Sequence, residues 1–393
     1  MSEHHQSNSS IIIETSILML TVGVVGSNGL MLSPILSDVA HSLHANTLSI
    51  ARVISSYGGG TAASALFLAP LIDRIGAKRS LLLGAAALFV ATLASAFATH
   101  PYLLAAAQLL AGLGAGLILP SCYAMATVIA KPGEEARSLG RVLIGWSLSL
   151  VAGIPISALI AQRFGWRFSY LALAACAALA AVGIWQLPNQ APATEPTRRR
   201  TNILAPLRYP GVAVGLALCL ACTGAFYGVY AFLGDQVRHT LGISAGKAGI
   251  IVLTYGIGFG LGAIANRFVD RIGTRVLFPL AFLGSAVVYV LMAFSTHNFT
   301  AILTVAVLWG IAAHLCLNMI VLLLSRARPT ERGAILGLNS ATTYLGAMFG
   351  TALAGAIYTR AGFKTLSLVA AGLQILAAAL LKLVPPQPTP LPN

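Results

Sequence analysis

Asp73-Arg74-Ile75-Gly76 recurs as Asp270-Arg271-Ile272-Gly273, 197 residues further along a chain of 393. Each copy lies between two long apolar runs and is followed by more cations, Lys78 and Arg79 in the first and Arg275 in the second. Two other pairs keep nearly the same offset. Pro132-Gly133-Glu134-Glu135-Ala136-Arg137 is matched by Pro329-Thr330-Glu331-Arg332, and Phe164-Gly165-Trp166-Arg167 by Ala361-Gly362-Phe363-Lys364. Three pairs at one spacing indicate a duplicated membrane bundle, its copies related by an axis along the membrane normal.

Composition leads to the same class. Charged residues are 9% and hydrophobic residues 57%, against about 25% and about 45–50% in a soluble domain. About twelve apolar runs of roughly 20 residues, from one centred near Gly23 to one near Gln374, are each long enough to cross the hydrocarbon as a helix. A net charge of +14 would suggest a nucleic-acid partner in a soluble protein, but here its position matters more than its sum. With the N-terminus in the cytoplasm, 17 of the 24 Lys and Arg fall on that side. Arg52, Arg163, Arg167, Arg238, Lys247, Arg360 and Lys364 fall on the other. The reading is a multi-pass protein of the cytoplasmic (inner) membrane, with both termini cytoplasmic and no nucleic-acid partner.

The five cysteines all lie in apolar runs and imply no disulfide framework. Cys219 and Cys222 could suggest redox or metal chemistry, but small packing residues in lipid are the better reading. The first apolar run lacks a basic start and continues past Val25, as a retained span does. Residues 1–187 form the first six-helix half and 209–384 the second. Between them, 188–208 is a cytoplasmic linker rich in Pro and Thr that carries Arg198-Arg199-Arg200, and 385–393 is a Pro-rich disordered tail. Glycines such as Gly112, Gly114, Gly258, Gly346 and Gly350 let helix backbones approach closely. No Walker loop and no metal-ligand cluster is present, so an enzyme is not indicated.

The loop Ala69-Pro70-Leu71-Ile72-Asp73-Arg74-Ile75-Gly76-Ala77-Lys78-Arg79 resembles the G-x-L-a-D-R-x-G-r-K/R signature of the major facilitator superfamily. Ala69 stands in the first glycine's place, and Asn266 does so in the second copy. Gly153-Ile154-Pro155, Gly165-Trp166-Arg167 and Leu338-Asn339-Ser340 extend the resemblance to the branch of drug:proton antiporters and arabinose or sugar efflux permeases. It implies an all-α integral membrane fold, twelve transmembrane helices in two pseudo-symmetric six-helix halves. It further implies a monomeric secondary transporter without cofactor or metal, coupled to a proton or another ion. Asp73, Arg74, Gly76, Lys78 and Arg79, with Asp270, Arg271, Gly273 and Arg275, would form a cytoplasmic gate. Asp73 would face the start of span eleven near Gly333, and Asp270 the start of span five near Leu139, where backbone N–H groups favour an anion. Gly153 and Pro155 carry the helix-five motif.

In that fold spans one, four, seven and ten line the cavity, which makes Asn28, Gln108, Tyr123, Tyr227, Tyr230, His314 and Asn318 the candidate substrate contacts. Tyrosine walls suit small neutral or amphipathic molecules such as drug-like compounds, sugars or metabolites. Two departures bear on coupling. The family's intramembrane arginine in span four is Gln108 here, and the span-one carboxylate of the efflux branch is missing from Gly26-Ser27-Asn28-Gly29-Leu30. His314, with Asn318 one turn away, is the remaining titratable group within a span. Its ordinary pKa of about 6.5 suits proton exchange; the alternative is a neutral histidine bonded to a neighbouring helix. Efflux by proton antiport leads. Uptake or facilitated diffusion of a metabolite or aromatic acid, and a non-transporting sensor of the same fold, remain open.

Overall fold

The computed structural model describes residues 8–131, 133–189, 204–272, 274–328 and 331–383. Among them there is helix and no strand. The first crossing is α1 (Asn8–Leu30), followed by the short α2 (Leu36–Ser42) beyond its far end. The second runs through α3 (Thr47–Ala63), a π-helical stretch at Ser64–Leu68 and α4 (Ala69–Ile75). The helices α5 (Ala77–Ala96) and α6 (Pro101–Val128) are the third and fourth. The fifth also passes through a π-helical stretch, Ser149–Gly153, between α7 (Glu135–Leu148) and α8 (Ile154–Phe164), and α9 (Trp166–Gln186) completes the first half. The second half comprises α10 (Pro210–Leu241), α11 (Ala245–Ile272), α12 (Thr274–Ser295), α13 (Phe299–Ala327) and α14 (Arg332–Leu380).

Ten helices are long and apolar enough to cross a membrane on their own. Two physical details raise this to twelve crossings. The long α14 is interrupted at Gly362, where φ is 77°, so it holds two crossings. In the second crossing α3 has only 17 residues and reaches full length only by continuing into α4. Gly165 has φ 95° like its repeat mate Gly362, a backbone that side chains rarely adopt. The sequence duplication is therefore also a duplication of turn geometry.

Glycines set the packing within each half, because lipid supplies no hydrophobic drive between helices and close backbone approach must do so instead. A Cβ at Gly112 on α6 would collide with the Tyr57 carbonyl of α3, and one at Gly60 with the Leu109 carbonyl. The second half repeats this between α11 and α13. A Cβ at Gly310 would meet the Tyr255 carbonyl and one at Gly258 the Val307 carbonyl. Around the outside, Phe67, Leu179, Trp185 and Leu353 stand exposed, as an apolar belt facing lipid does.

Each half presents a first and a last crossing to the same side, here called the terminal face; the opposite side is the distal face. Joining the halves, the hydrogen bonds and ion pair between described residues cluster near the distal face. Ser33 donates to the Tyr230 carbonyl, and the Tyr230 hydroxyl donates to the Leu30 carbonyl at 3.0 Å. Arg238 reaches Asp38 with both arms, at 2.6 and 2.9 Å, and the Pro34 carbonyl at 3.1 Å. Nearer mid-depth, a Cβ at Gly58 would lie 3.0 Å from Met348 N of α14, while toward the distal end of α11 one at Gly249 would lie 3.2 Å from Pro155 Cα. The linker segment 190–203 and the tail 384–393 lie outside the described residues.

Candidate substrate site

α1 packs on α6, α7 and α9, and α10 on α13 and α14, so the open edge of each inner helix looks into the gap between the halves. On the terminal side those edges are uncovered. Leu220 is 41% exposed on α10 and Val321 40% on α13. The hydrogen-bonded seam thus lies distally, with α3 packing on α14 and α8 on α11 at the sides, and the exposed edges of α10 and α13 frame a crevice toward the terminal face.

At its inner end stands an aromatic cluster. Phe226 on α10 is the centre, with ring centroids 5.0 Å from Tyr227 and from Trp309, 5.4 Å from Tyr255 and 5.5 Å from Tyr230. Tyr255 lies 4.9 Å from Trp309, and Tyr289 packs edge-on to Trp309 at 6.0 Å. Such pairs add about 0.5–1.5 kcal/mol each beyond their buried area. His314 joins the rim edge-on to Phe259 at 4.8 Å. Its position is set from behind by Gly262, where a Cβ would lie 2.6 Å from His314 Cβ. Tyr123, Tyr227, His314 and Asn318 are all half-buried, as residues on a crevice wall are.

Three expected wall residues, Asn28, Gln108 and Tyr230, are buried and bonded within the bundle. Asn28 and Gln108 are 2% and 1% exposed and bond to each other. Asn28 Nδ2 donates to Gln108 Oε1 at 3.0 Å, and Gln108 Nε2 donates to Ser95 Oγ at 2.9 Å. The amides close a polar chain across α1, α6 and α5, because each would otherwise be left unsatisfied in a buried place. Tyr230 is likewise buried, its hydroxyl taken up by the distal seam. Sequence reading missed half-buried Phe226 and Phe259, and Tyr255, Tyr289 and Trp309 buried behind them. The one available signal was four-residue spacing, in Phe226/Tyr230 and Tyr255/Phe259, which puts each pair on a single helix face.

A second titratable group also emerges. Glu14 sits in the second turn of α1 within the crossing Ser10–Leu30. Its Oε2 is buried without a hydrogen-bond partner.

The helix-five motif lies at a junction. Gly153 faces Ser27 of α1, and Pro155, in the first turn of α8, packs on Gly249 of α11. Of the gate residues, Arg74 and Arg79 are exposed, Gly76 makes the turn at φ 85°, and Lys78 donates to the Leu187 carbonyl at the end of α9. The side chains of Asp73, Asp270, Arg271 and Arg275, and Gly273 itself, lie outside the described residues. All five cysteines are unpaired, and Cys219 Sγ lies 3.3 Å from Thr343 Oγ1 of α14.

The model of the Major Facilitator Superfamily matches residues 18–234 and 214–393. The chain belongs to that superfamily. It is 27% identical over 372 residues to the uncharacterized MFS-type transporter YwfA of Bacillus subtilis (strain 168), spanning 92% of this chain and 90% of that one. It is 28% identical to YceJ of the same organism over 347 residues, spanning 85% and 86%. The crystal structure of the nucleoside transporter NupG aligns with a TM-score of 0.78 at 16% identity, over 96% of this chain and 99% of that one. That likeness is one of fold. As a superfamily member the chain is a multi-pass membrane transporter and not an enzyme, acting on a small-molecule substrate within a lipid bilayer.

Proposed function

We propose that the chain exports flat, neutral or amphipathic small molecules by alternating access, in exchange for protons. The observation that carries this reading is the aromatic cluster at the inner end of the crevice, where half-buried Phe226, Tyr227 and Phe259 offer ring faces and one hydroxyl tip, backed by buried Tyr255, Tyr289 and Trp309. Aromatic walls with few polar groups are how small-molecule sites of this size gain affinity and orientation. His314 and Asn318 stand at the rim to bind one polar group of the substrate. With both termini in the cytoplasm, as the positive charges indicate, the crevice faces inward and can load substrate from that side. Asp73 and Asp270 would close it by capping the starts of α14 and α7 when the distal seam opens.

Proton exchange has two candidates, His314 at the rim and Glu14 lower in α1. Flux in proteoliposomes under an imposed pH gradient, over a panel of aromatic drugs, sugars and nucleosides, tests the whole reading. Aromatic solutes moving against the proton gradient support it. Transport that is indifferent to pH would leave facilitated diffusion, and no flux of any solute would favour a sensor. His314→Ala and Glu14→Gln should separate the two groups, since only the coupling residue abolishes gradient dependence while equilibrium exchange survives.

A second reading follows from the fold neighbour. NupG is a nucleoside transporter, and a nucleobase is itself a flat ring suited to stacking on half-buried Phe226, Tyr227 or Phe259. Uptake of a nucleoside-like metabolite is then the outcome if nucleosides accumulate inside vesicles and drugs do not.

A further inference from the structure

On the distal face, a cleft of about 550 Å3 lies across the seam between the halves. Asp38 and Arg167 line it from the first half, Arg238 and Ser244 from the second, and Trp166 and Phe168 add apolar wall. Its volume is in the range of small-molecule sites, about 300–1,000 Å3. It is separated from the aromatic cluster by the seam contacts of Tyr230, Ser33 and Leu30.

The charges do not balance. Arg238 is neutralised by Asp38 through two parallel bonds. Arg167 has only neutral partners, donating to Ser42 Oγ and to the Ala98 carbonyl, both at 3.0 Å, while its guanidinium lies 4.4 Å from the Trp166 ring centroid. Among the described residues no carboxylate pairs with it. A guanidinium carries five N–H donors in a fork that fits a carboxylate. The cleft therefore combines one uncompensated positive charge, spare planar donors and an aromatic wall.

We propose that this cleft binds a small aromatic carboxylate, and that the bound ligand holds the distal face shut. The second part rests on the alternating-access reading above; the first does not. The walls come from both halves and face one another only while the distal seam is closed. A ligand touching both binds the closed arrangement better than the open one, and by linkage draws the protein into it. From the distal side it would act as an inhibitor of the transport cycle.

The test uses the full chain in lipid nanodiscs, with tryptophan fluorescence titrated by phenylacetate, phenylacetamide, acetate and chloride. Phenylacetate should give a saturable change, with the other three roughly tenfold weaker or more. Trp166→Phe should remove the optical signal while calorimetry still records binding. Arg167→Gln should weaken phenylacetate by about tenfold. Because Arg167 also joins Ser42 to Ala98, Ser244→Asp serves as the independent variant; it places a negative charge on the opposite wall and should cost a similar factor. In proteoliposomes, phenylacetate on the distal side should slow flux, and Ser244→Asp should relieve that inhibition. Equal binding of the amide, or unchanged affinity in both variants, overturns the site. Unchanged or faster flux with intact binding overturns the closure while leaving the site. Should no solute be transported at all, the titrations still decide the site by themselves.

Discussion

Gln108 stands where the signature that the sequence resembles has an arginine, and its amide is engaged by Asn28 and Ser95. The absence of the arginine was legible in the sequence. What replaced it was not, because the partners are 80 and 13 residues away and meet only when α1, α5 and α6 pack. Gln108→Ala should cost roughly 1–3 kcal/mol by leaving the Asn28 amide buried and unsatisfied, seen as a lower thermal midpoint in detergent. Gln108→Arg should be worse still, since the described surroundings supply amides and a hydroxyl but no carboxylate for a buried charge; a variant of undiminished stability would refute this. For His314 the sequence left two readings. The structure adds its packing on Gly262 and its edge contact with Phe259, which fix where the imidazole sits at the crevice rim.

Helix packing and helix termini set the predictions for the elements. The pairs Gly60/Gly112 and Gly258/Gly310 occupy equivalent places in the two halves, each meeting backbone rather than a movable side chain. Gly112→Val and Gly310→Val should therefore abolish folded protein on size-exclusion chromatography. Gly284→Ala should pass unnoticed, since nothing lies within 4 Å of its added Cβ. At the start of α7, the Glu135 carboxylate accepts its own backbone N–H and that of Gly133, the latter at 3.1 Å, and these donors hold its pKa below the ordinary value. Its contribution to α7 is complete above the ordinary carboxylate range and is lost as pH falls through the lowered value. Amide exchange at the start of α7 should be faster in Glu135→Gln at neutral pH and converge with the unmodified protein in acid. Helices and turns were readable from apolar length and from Gly165 and Gly362. The π-helical stretches at Ser64–Leu68 and Ser149–Gly153 were not, because a one-residue change in hydrogen-bond register leaves composition untouched.

For the molecule as a whole, the question is which face of the bundle is shut. Distal closure depends on Ser33 and Asp38, beyond the end of α1, and on Tyr230 and Arg238, in the distal half of α10. The Asp38–Arg238 pair is partly exposed, and such pairs contribute up to about 1 kcal/mol. Asp38→Asn should shift the ratio of distal-closed to distal-open protein by about fivefold. Faster labelling of a cysteine placed at Ser37 by a membrane-impermeant reagent added on the distal side would report it. An unchanged labelling rate would show that Tyr230 and Ser33 hold the face without the ion pair. Charges 200 residues apart gave no sign in the sequence that they would meet.

The sequence by itself determined the class, the duplication and the number of crossings. Each of these is written locally, in apolar run length and in repeated turn signals. Only the tertiary structure decided which polar residues look into the crevice and which are consumed in holding helices together. Asn28, Gln108 and Tyr230 read alike with Tyr123, Tyr227 and His314 on a helical wheel. They differ because a side chain in a membrane bundle must satisfy its hydrogen bonds with whatever helix packing brings near it, and that partner is chosen by the fold.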